Sequence, residues 1–257
     1  MSDATRINVP EFLKRVQILD EPKLALFDAD GTLWENDIAD DCTVWMIGTG
    51  RIQTGAHWPQ YKQTYADDAQ EGCRYLLSFY KGMPKADLTR HVQAYWDEFM
   101  KLDYIAEAIV VLEDLAAKGF KIWVVTGSPT DFLLPLLTKL PVDKIVGMDF
   151  DVDANGILTG LHGGISCAGP GKAEKVLSLW NDPIQFAAGN AILDEAMMRL
   201  ARDVVWAVHP HPELEKIALH EGWEIKKSHK PPYGTAGWLT IQEELHERNL
   251  PIPDYLR

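Results

Sequence analysis

Short runs of hydrophobic residues recur along the chain, and each ends abruptly in small or polar residues. The four clearest runs are Lys23–Phe27, Phe120–Val125, Ile184–Ala188 and Val204–Val208. Continuous apolar runs of this length indicate strands that are buried on both faces, as in a parallel sheet. Helical patterns lie between them, the clearest being residues 104–118, which Gly119 closes. This alternation predicts an α/β fold with a doubly wound parallel sheet.

One long segment does not follow the alternation of strands and helices. Residues 37–103 contain aromatic-rich helical patterns and no convincing strand. We therefore expect a helical subdomain inserted after the first strand. The core is then predicted to consist of residues 1–36 and 104–257, which makes one catalytic unit of core and insert.

Three further segments have patterns of their own. Residues 8–20 predict a short helix near the N-terminus. Residues 149–164 predict a β-hairpin, with Asn155-Gly156 as its two-residue turn. From about residue 228 the chain predicts a loop, one short helix and an irregular tail.

Polar side chains follow the predicted strands at the point where each strand ends. They are Asp28, Asp30, Thr126, Ser128, Asn190 and Asp194. Ligands of open α/β sheets bind outside the carboxyl ends of the strands. If the strands are parallel, these side chains meet at one edge of the sheet. That edge is the predicted functional site.

Composition and charge exclude several classes of protein. The 257 residues carry a formal charge of −13, which disfavours nucleic acids and anionic membrane surfaces as partners. No segment approaches the roughly 18 apolar residues of a membrane-spanning helix. The polar N-terminus lacks the pattern of a secretory signal, and three widely spaced cysteines argue against a disulfide framework. We expect a reduced, cytoplasmic protein.

Four motifs in order along the chain carry a resemblance to a known family. They are FDADGTL, VVTGS, GPGKAEKV and GNAILDEAMM, within residues 23–225. Together they resemble the motifs of the haloacid dehalogenase (HAD) superfamily. The similarity is greatest to its phosphoserine-phosphatase-like branch, which carries a helical cap between the first two motifs. The resemblance therefore implies that residues 37–103 form such a cap.

The resemblance implies a chemical role for each motif. Asp28 would be the nucleophile that forms an aspartyl-phosphate, and Asp30 the general acid and then the general base. Gly31, Thr126, Gly127 and Lys172 would bind the phosphoryl group, with Lys175 as the alternative to Lys172. Taken from the residues alone, Asp-x-Asp-Gly-Thr also fits a surface turn, Ser128 a helix cap and Lys172 a solvated lysine.

The fourth motif implies a Mg²⁺ site but departs from the family pattern. The predicted metal-binding residues are Asp28, Asp30, Asn190 and Asp194. The family usually has an aspartate where this chain has Asn190. An asparagine offers a carbonyl oxygen, which Mg²⁺ accepts as a ligand, but it removes one negative charge. Weaker metal binding is the expected consequence.

The predicted cap offers two candidate substrate contacts and many aromatic residues. Asp37 could pair with an ammonium group and Arg74 with a carboxylate, although a helix-capping Asp37 and a surface Arg74 also fit. The aromatic residues are Trp34, Trp45, Trp58, Tyr61, Tyr65, Tyr75 and Trp96. They fit a hydrophobic core of the cap better than an aromatic cage for a quaternary ammonium.

These observations predict a Mg²⁺-dependent phosphomonoesterase acting on a small phosphorylated metabolite, such as an amine or amino-acid phosphate. Alternatives within the superfamily are a phosphotransferase and a dehalogenase, although the latter usually lacks an acid at the position of Asp30. A catalytically weak binding protein on the same fold is the alternative from another class. We expect a monomer or homodimer, with neither nucleic acid nor membrane as a partner.

Overall fold

The computed structural model describes residues 10–16, 22–227 and 240–256. Its strands are β1 (Leu24–Phe27), β2 (Lys121–Pro129), β3 (Lys144–Val152), β4 (Leu158–Gly163), β5 (Ile184–Gly189), β6 (Ala201–Val208) and β7 (Glu224–Lys226). They form one seven-stranded sheet in the order β4-β3-β2-β1-β5-β6-β7. Neighbouring strands are parallel, except that β4 is antiparallel to β3. The predicted α/β fold is confirmed.

Helices connect and flank these strands. They are α1 (Ile38–Gly48), α2 (Trp58–Asp67), α3 (Ala69–Leu76), α4 (Lys85–Glu98), α5 (Ala106–Ala117), α6 (Thr130–Leu133), α7 (Pro170–Leu179), α8 (Glu195–Met198), α9 (Pro212–Glu221) and α10 (Ile241–Glu247). In the part of the chain that the structure describes, no helix has the length and apolar character needed to cross a bilayer.

The four predicted strands are present, and the sheet contains two parallel strands that the pattern did not indicate. The first half of β3 pairs with β2. Its apolar run is interrupted by Gly147, where a Cβ atom would lie 2.5 Å from the Ser128 carbonyl oxygen. The other is β7, which has three half-buried residues. Gly147 interrupts the hydrophobic pattern of β3, and β7 is too short to show a pattern.

The predicted hairpin is formed by β3 and β4, but its turn differs from the prediction. Asp153 pairs with Ile157 through its backbone N–H, so three residues rather than two make the turn. The Asp153 carboxylate also accepts hydrogen bonds from the backbone N–H groups of Asn155 and Ile157, at 2.8 and 2.9 Å. Gly156 ends the turn with a φ of 79°, as three-residue hairpin turns require.

Helices α1 to α4 occupy the predicted insert between β1 and β2. We refer to residues 37–103 as the insert. Its tryptophans Trp45, Trp58 and Trp96 are buried, and Trp58 packs against Tyr61 and Phe79 with ring centroids 5.2 and 6.2 Å away. These rings form part of the hydrophobic core, which favours the interpretation of the aromatic residues as core rather than as a cage.

The chain termini differ from the prediction. A single 3₁₀ turn, Glu11–Arg15, occupies the middle of the predicted N-terminal helix, and the rest of that helix lies outside the described residues. The predicted loop at 228–239 also lies outside them. The predicted short C-terminal helix is α10. Residues 240–256 contact α1 of the insert, and their assignment to the core stays a prediction.

Helix α1 explains where the C-terminal segment lies. Every residue of α1 is buried, so the helix needs a cover on all sides. Residues 240–256, which we call the C-terminal segment, provide one side. Leu245 is fully buried there, and a Cβ atom on Gly48 of α1 would lie 2.8 Å from its side chain. The amphipathic pattern of α10 showed an apolar face but not the surface that it covers.

This packing predicts that the C-terminal segment contributes to the stability of the whole fold. Leu245→Ala should reduce the free energy of unfolding by about 2–5 kcal/mol, because it removes buried methyl groups and leaves a cavity. Leu219→Ala on α9 is the matched control, because Leu219 is 64% exposed. Urea unfolding of both variants provides the test. Equal midpoints for the two would contradict the placement of α10.

Candidate active site

The polar residues predicted from the strand ends meet at the middle of the sheet. Strand β1 lies between β2 and β5, and the chain first builds the sheet on one side of β1 and then on the other. Ligand crevices of α/β sheets form where the strand order reverses in this way. The side chains of Asp28, Thr126, Asn190 and Asp194 are all buried at this edge. The structure thus brings the predicted candidates together.

Lys172 is the centre of the hydrogen-bond network at this edge. Its Nζ donates to Asp28 Oδ1 at 2.7 Å, to Asp194 Oδ1 at 2.6 Å and to the Val125 carbonyl oxygen at 3.0 Å. The residue is 2% exposed, so all of its donors are satisfied within the protein. Burial by itself would lower the pKa of Lys172, but the charges of Asp194 and Asp28 outweigh it and raise the pKa. Lys172 is therefore a permanent cation in the site.

Asp28 is a buried carboxylate that is held at both oxygens. Thr32 Oγ1 donates to Oδ2 at 2.9 Å, opposite the bond from Lys172 to Oδ1. Burial raises the pKa of Asp28 to about 7, Asp194 adds to this rise, and Lys172 opposes it. The position of Asp28 relative to a fixed cation is what an anionic nucleophile needs. Thr32 is a contact that the sequence analysis missed, although it belongs to the DADGT motif.

Asp194 is hydrogen-bonded at both of its carboxylate oxygens. Its Oδ2 accepts hydrogen bonds from the backbone N–H groups of Asn190 and Ala191, at 3.0 and 2.9 Å, while Oδ1 accepts from Lys172. Both oxygens are thus occupied by donors within the protein. These bonds let Asp194 position Lys172 and the loop after β5, and its predicted role as a metal ligand stays a prediction.

Asn190 lies directly over the first motif. A Cβ atom on Gly31 would be 2.0 Å from Asn190 Nδ2, and Gly31 has a φ of +77°. Only glycine satisfies both conditions. Asn190 is buried, and within the described residues its side-chain amide makes no hydrogen bond. Its backbone carbonyl accepts from the N–H of His211 at 2.8 Å, which fixes the loop.

Asp30 has a different environment from Asp28. Its Oδ1 accepts from Trp34 Nε1 and from the backbone N–H of Ile38, both at 2.9 Å. Its Oδ2 accepts from Ser128 Oγ at 2.6 Å and lies 3.5 Å from Thr126 Oγ1. Burial raises the pKa of Asp30, and the bonds from Ser128, Ile38 and Trp34 oppose that rise. A carboxyl group with a raised pKa can carry a proton to a leaving group.

The second motif contacts both Asp30 and the insert. Ser128 donates to Asp30. The sequence was equally compatible with a helix-capping role for Ser128. Thr126 Oγ1 accepts from the backbone N–H of Ser128 at 3.0 Å. At Gly127 a Cβ atom would lie 3.2 Å from Cys73 Sγ in α3. The insert thus reaches the second motif through Cys73, a contact that no pattern in the sequence indicated.

Asp37 lies at the start of α1 and is the N-cap residue of this helix. Its side chain accepts from the backbone N–H of Asp40 at 3.0 Å and caps the helix. Burial and the charges of Asp40 and Asp30 raise the pKa of Asp37 well above its ordinary value. Asp37 is thus near Asp30, and within the described residues its second oxygen accepts no hydrogen bond.

Arg74 lies beside a cavity rather than against Asp28. Its Nη1 donates to Glu71 at 2.8 Å, and its buried Nε has no hydrogen-bond partner among the described residues. The cavity has a volume of about 400 Å³ and is also lined by His162, Ser166 and Glu174. His162 Nδ1 is likewise buried and without a partner.

One group considered from the sequence lies elsewhere. Lys175, the alternative to Lys172, donates to Asp149 Oδ2 at 2.5 Å and to the Gly147 carbonyl oxygen at 2.6 Å. It therefore neutralises a different carboxylate. Within the described ranges, no group of three or more His, Cys, Asp or Glu side chains is arranged to hold a metal ion.

The overlap at Gly31 predicts a steric effect that can be separated from backbone strain. Gly31→Ala should destabilise the fold by about 1–2 kcal/mol for the left-handed backbone and a further 1–3 kcal/mol for the clash with Asn190. Gly82→Ala is the control, because Gly82 has a φ of +85° with open space around it. Unfolding in urea should show the larger loss for Gly31→Ala, and adding Asn190→Ala should recover part of it. Equal losses at positions 31 and 82 would contradict the overlap.

Comparisons with known proteins agree with the fold and the motifs. Protein CicA of Caulobacter vibrioides is 24% identical over 186 residues, which are 70% of this chain and 84% of that protein. A protein of unknown function from Bordetella pertussis has a similar structure, with a TM-score of 0.70 and 19% identity over 79% of this chain and 97% of the other. A substrate-bound phosphoserine phosphatase has a TM-score of 0.57 and 18% identity over 89% and 99%. At these identities the structural likeness shows the fold alone.

A match to a family model assigns the chain to a family, which these pairwise similarities do not do. The model of haloacid dehalogenase-like hydrolases matches residues 25–199. This range begins in β1, includes the insert and ends just after α8, so all four motifs lie within it. The chain therefore belongs to the haloacid dehalogenase-like hydrolases.

Proposed function

We propose that the protein is a Mg²⁺-dependent phosphomonoesterase that acts on a small phosphorylated metabolite. The observation that carries this proposal is the pair of carboxylates at the end of β1. Asp28 is in contact with the buried cation Lys172, and Asp30 is held only by neutral donors. One carboxylate is thereby suited to attack phosphorus and the other to transfer a proton.

The proposed reaction has two steps. Asp28 attacks phosphorus and forms an aspartyl-phosphate, while the bond from phosphorus to the leaving oxygen breaks and Asp30 gives that oxygen its proton. Asp30, now ionised, takes a proton from water, and the resulting nucleophile attacks phosphorus and releases phosphate and Asp28. Lys172 offsets negative charge on the phosphoryl oxygens during both transfers. The Thr126 hydroxyl and the backbone N–H groups near Gly31 and Gly127 are the proposed phosphate donors.

The donor set at this edge fits Mg²⁺. Mg²⁺ prefers oxygen ligands, keeps several waters and needs only one or two carboxylates from the protein. The Asp28 carboxylate, the Asp30 main-chain carbonyl and the Asn190 side-chain oxygen would hold it. The absence of hydrogen bonds to the Asn190 amide among the described residues supports the choice of Asn190. When bound, the ion would stabilise negative charge on the phosphoryl group.

The insert is proposed to act as a cap that selects the leaving group. The contact of Cys73 with Gly127 supports that role, because it places the insert directly against the proposed phosphate-binding motif. The second oxygen of Asp37 could accept an ammonium group, and Arg74 could bind a carboxylate through Nε. Both contacts suit an amine or amino-acid phosphate. A soluble location in the cytoplasm and a monomeric or dimeric state remain proposals from the sequence.

The proposal predicts different effects for the two lysines of α7. Lys172→Met should reduce kcat/KM for an aryl phosphate by about 10²-fold or more, because it removes the cation that faces the phosphoryl group. Lys175→Met is the matched control and should keep activity within about threefold, because Lys175 pairs with Asp149 away from Asp28. Circular dichroism of both variants must show a folded protein. A similar loss in the two variants would contradict the assignment.

Metal removal provides a separate prediction. Dialysis against EDTA should abolish hydrolysis of the aryl phosphate, and millimolar Mg²⁺ should restore it, because charge on the phosphoryl group is then stabilised. Asp28→Asn should stay inactive at every Mg²⁺ concentration. Full activity of the metal-free protein, or an active Asp28→Asn variant, would overturn the proposal.

A further inference from the structure

The insert and the core are connected by two chain crossings that are bonded to each other. The first crossing is residues 34–37 and the second is residues 99–105. The backbone N–H of Glu35 donates to the Asp103 carbonyl oxygen at 2.9 Å. In return, the backbone N–H of Asp103 donates to Asn36 Oδ1 at 3.0 Å. These bonds tie the two crossings to each other, so a movement that separates the crossings would break them.

A chain of hydrogen bonds leads from this crossing to the C-terminal segment. Asn36 Nδ2 donates to Asp41 Oδ2 at 3.2 Å. The other oxygen of Asp41 accepts from Arg248, from Nε at 3.0 Å and from Nη2 at 2.7 Å. The Asp41 and Arg248 side chains are 13% and 14% exposed, so water screens their interaction only weakly. Asp41 therefore connects the C-terminal segment to the crossing.

The C-terminal segment holds the Arg248 guanidinium in a defined orientation. Arg248 Nη1 donates to the carboxylate of Glu244, one turn earlier in the chain. Helix α10 is anchored by buried Leu245 and by a capping box between Thr240 and Glu243. The guanidinium therefore donates to Asp41 through Nε and Nη2 and to Glu244 through Nη1. A lysine has a single ammonium group and cannot reproduce this planar set of bonds.

The same crossing lies next to the proposed general acid. Helix α1 begins at Ile38, and the N–H of Ile38 donates to Asp30 Oδ1. Asp41 lies one turn further along this helix and carries the bonds to Asn36 and Arg248. A shift of α1 would therefore move a donor of Asp30.

We propose that Asp41 and Arg248 are positioning residues through which the C-terminal segment holds the crossing between core and insert and keeps α1 in place beside Asp30. The effect on turnover rests on the proposed phosphatase function, but the effect on the crossing does not. The segment is then part of the catalytic unit, although it lies far from the motifs in sequence. Asn36 is the link between Asp41 and the second crossing.

Hydrogen exchange at individual amides tests the structural part without any assay of activity. Arg248→Lys keeps the positive charge but cannot bond to Asp41 and Glu244 at the same time. The Glu35 and Asp103 amides should then exchange about tenfold faster, as expected for the loss of one charge-assisted hydrogen bond. The Asp28 amide, bonded to Ala188 in the core, should be unchanged and controls for global unfolding. Tyr255→Phe is the matched control within the segment, because Tyr255 bonds to Ile52 and Gly55, away from the crossing. Unchanged exchange at Glu35 and Asp103 in Arg248→Lys would overturn the proposal.

A double-mutant cycle tests the catalytic part. Arg248→Lys and Asn36→Ala should each reduce kcat for the aryl phosphate by about three- to tenfold, and the double variant should lose no more than the worse single one, since both break the same chain. Tyr255→Phe should keep kcat. Additive losses of kcat in the double variant would contradict the role of Asp41 and Arg248 in positioning α1 beside Asp30. Faster amide exchange with unchanged kcat would contradict it as well. A parent protein without phosphatase activity would refute the proposed function and leave the exchange result to decide the crossing.

Discussion

The site depends on one buried cation, Lys172, held between the carboxylates of Asp28 and Asp194. Charges at this depth are tolerated only when they are paired, and removing one partner of a buried pair costs about 3–5 kcal/mol. Asp194 gains further support from two backbone N–H groups of the loop after β5. Lys172 thus connects α7, β1 and that loop. The same contacts that stabilise the edge of the sheet fix the nucleophile next to a positive charge.

Two aspartates that are separated by a single residue acquire different properties from their surroundings. Asp28 faces a cation, whereas Asp30 receives only neutral hydrogen bonds from Trp34, Ile38 and Ser128. Burial raises the pKa of both, but Lys172 acts on Asp28 through direct contact. This difference suits Asp28 to the proposed role of nucleophile and Asp30 to that of proton donor. Trp34 reaches Asp30 from the first crossing and Ile38 from the start of α1, so the orientation of the proposed acid depends on the connection of insert and core.

Sequence patterns predicted the parallel sheet and the residues at its centre, because strand ends and motifs are local signals. They did not predict the partners of those residues, which come from distant parts of the chain. Cys73 touches Gly127, and Arg248 reaches Asp41 across more than two hundred residues. Periodicity shows that α10 has an apolar face but not what it covers. Spacing placed Asp194 at this edge, but it could not tell which donors the carboxylate meets there.

The central claim is that Asp28 attacks phosphorus and carries the phosphoryl group. Rapid quenching during turnover of an aryl phosphate with Mg²⁺, followed by borohydride reduction, converts an aspartyl-phosphate to homoserine, which peptide mass spectrometry locates. The account predicts homoserine at position 28 and at no other aspartate, and only when substrate is present. Release of phosphate without homoserine at position 28, or with homoserine at another position, would contradict it.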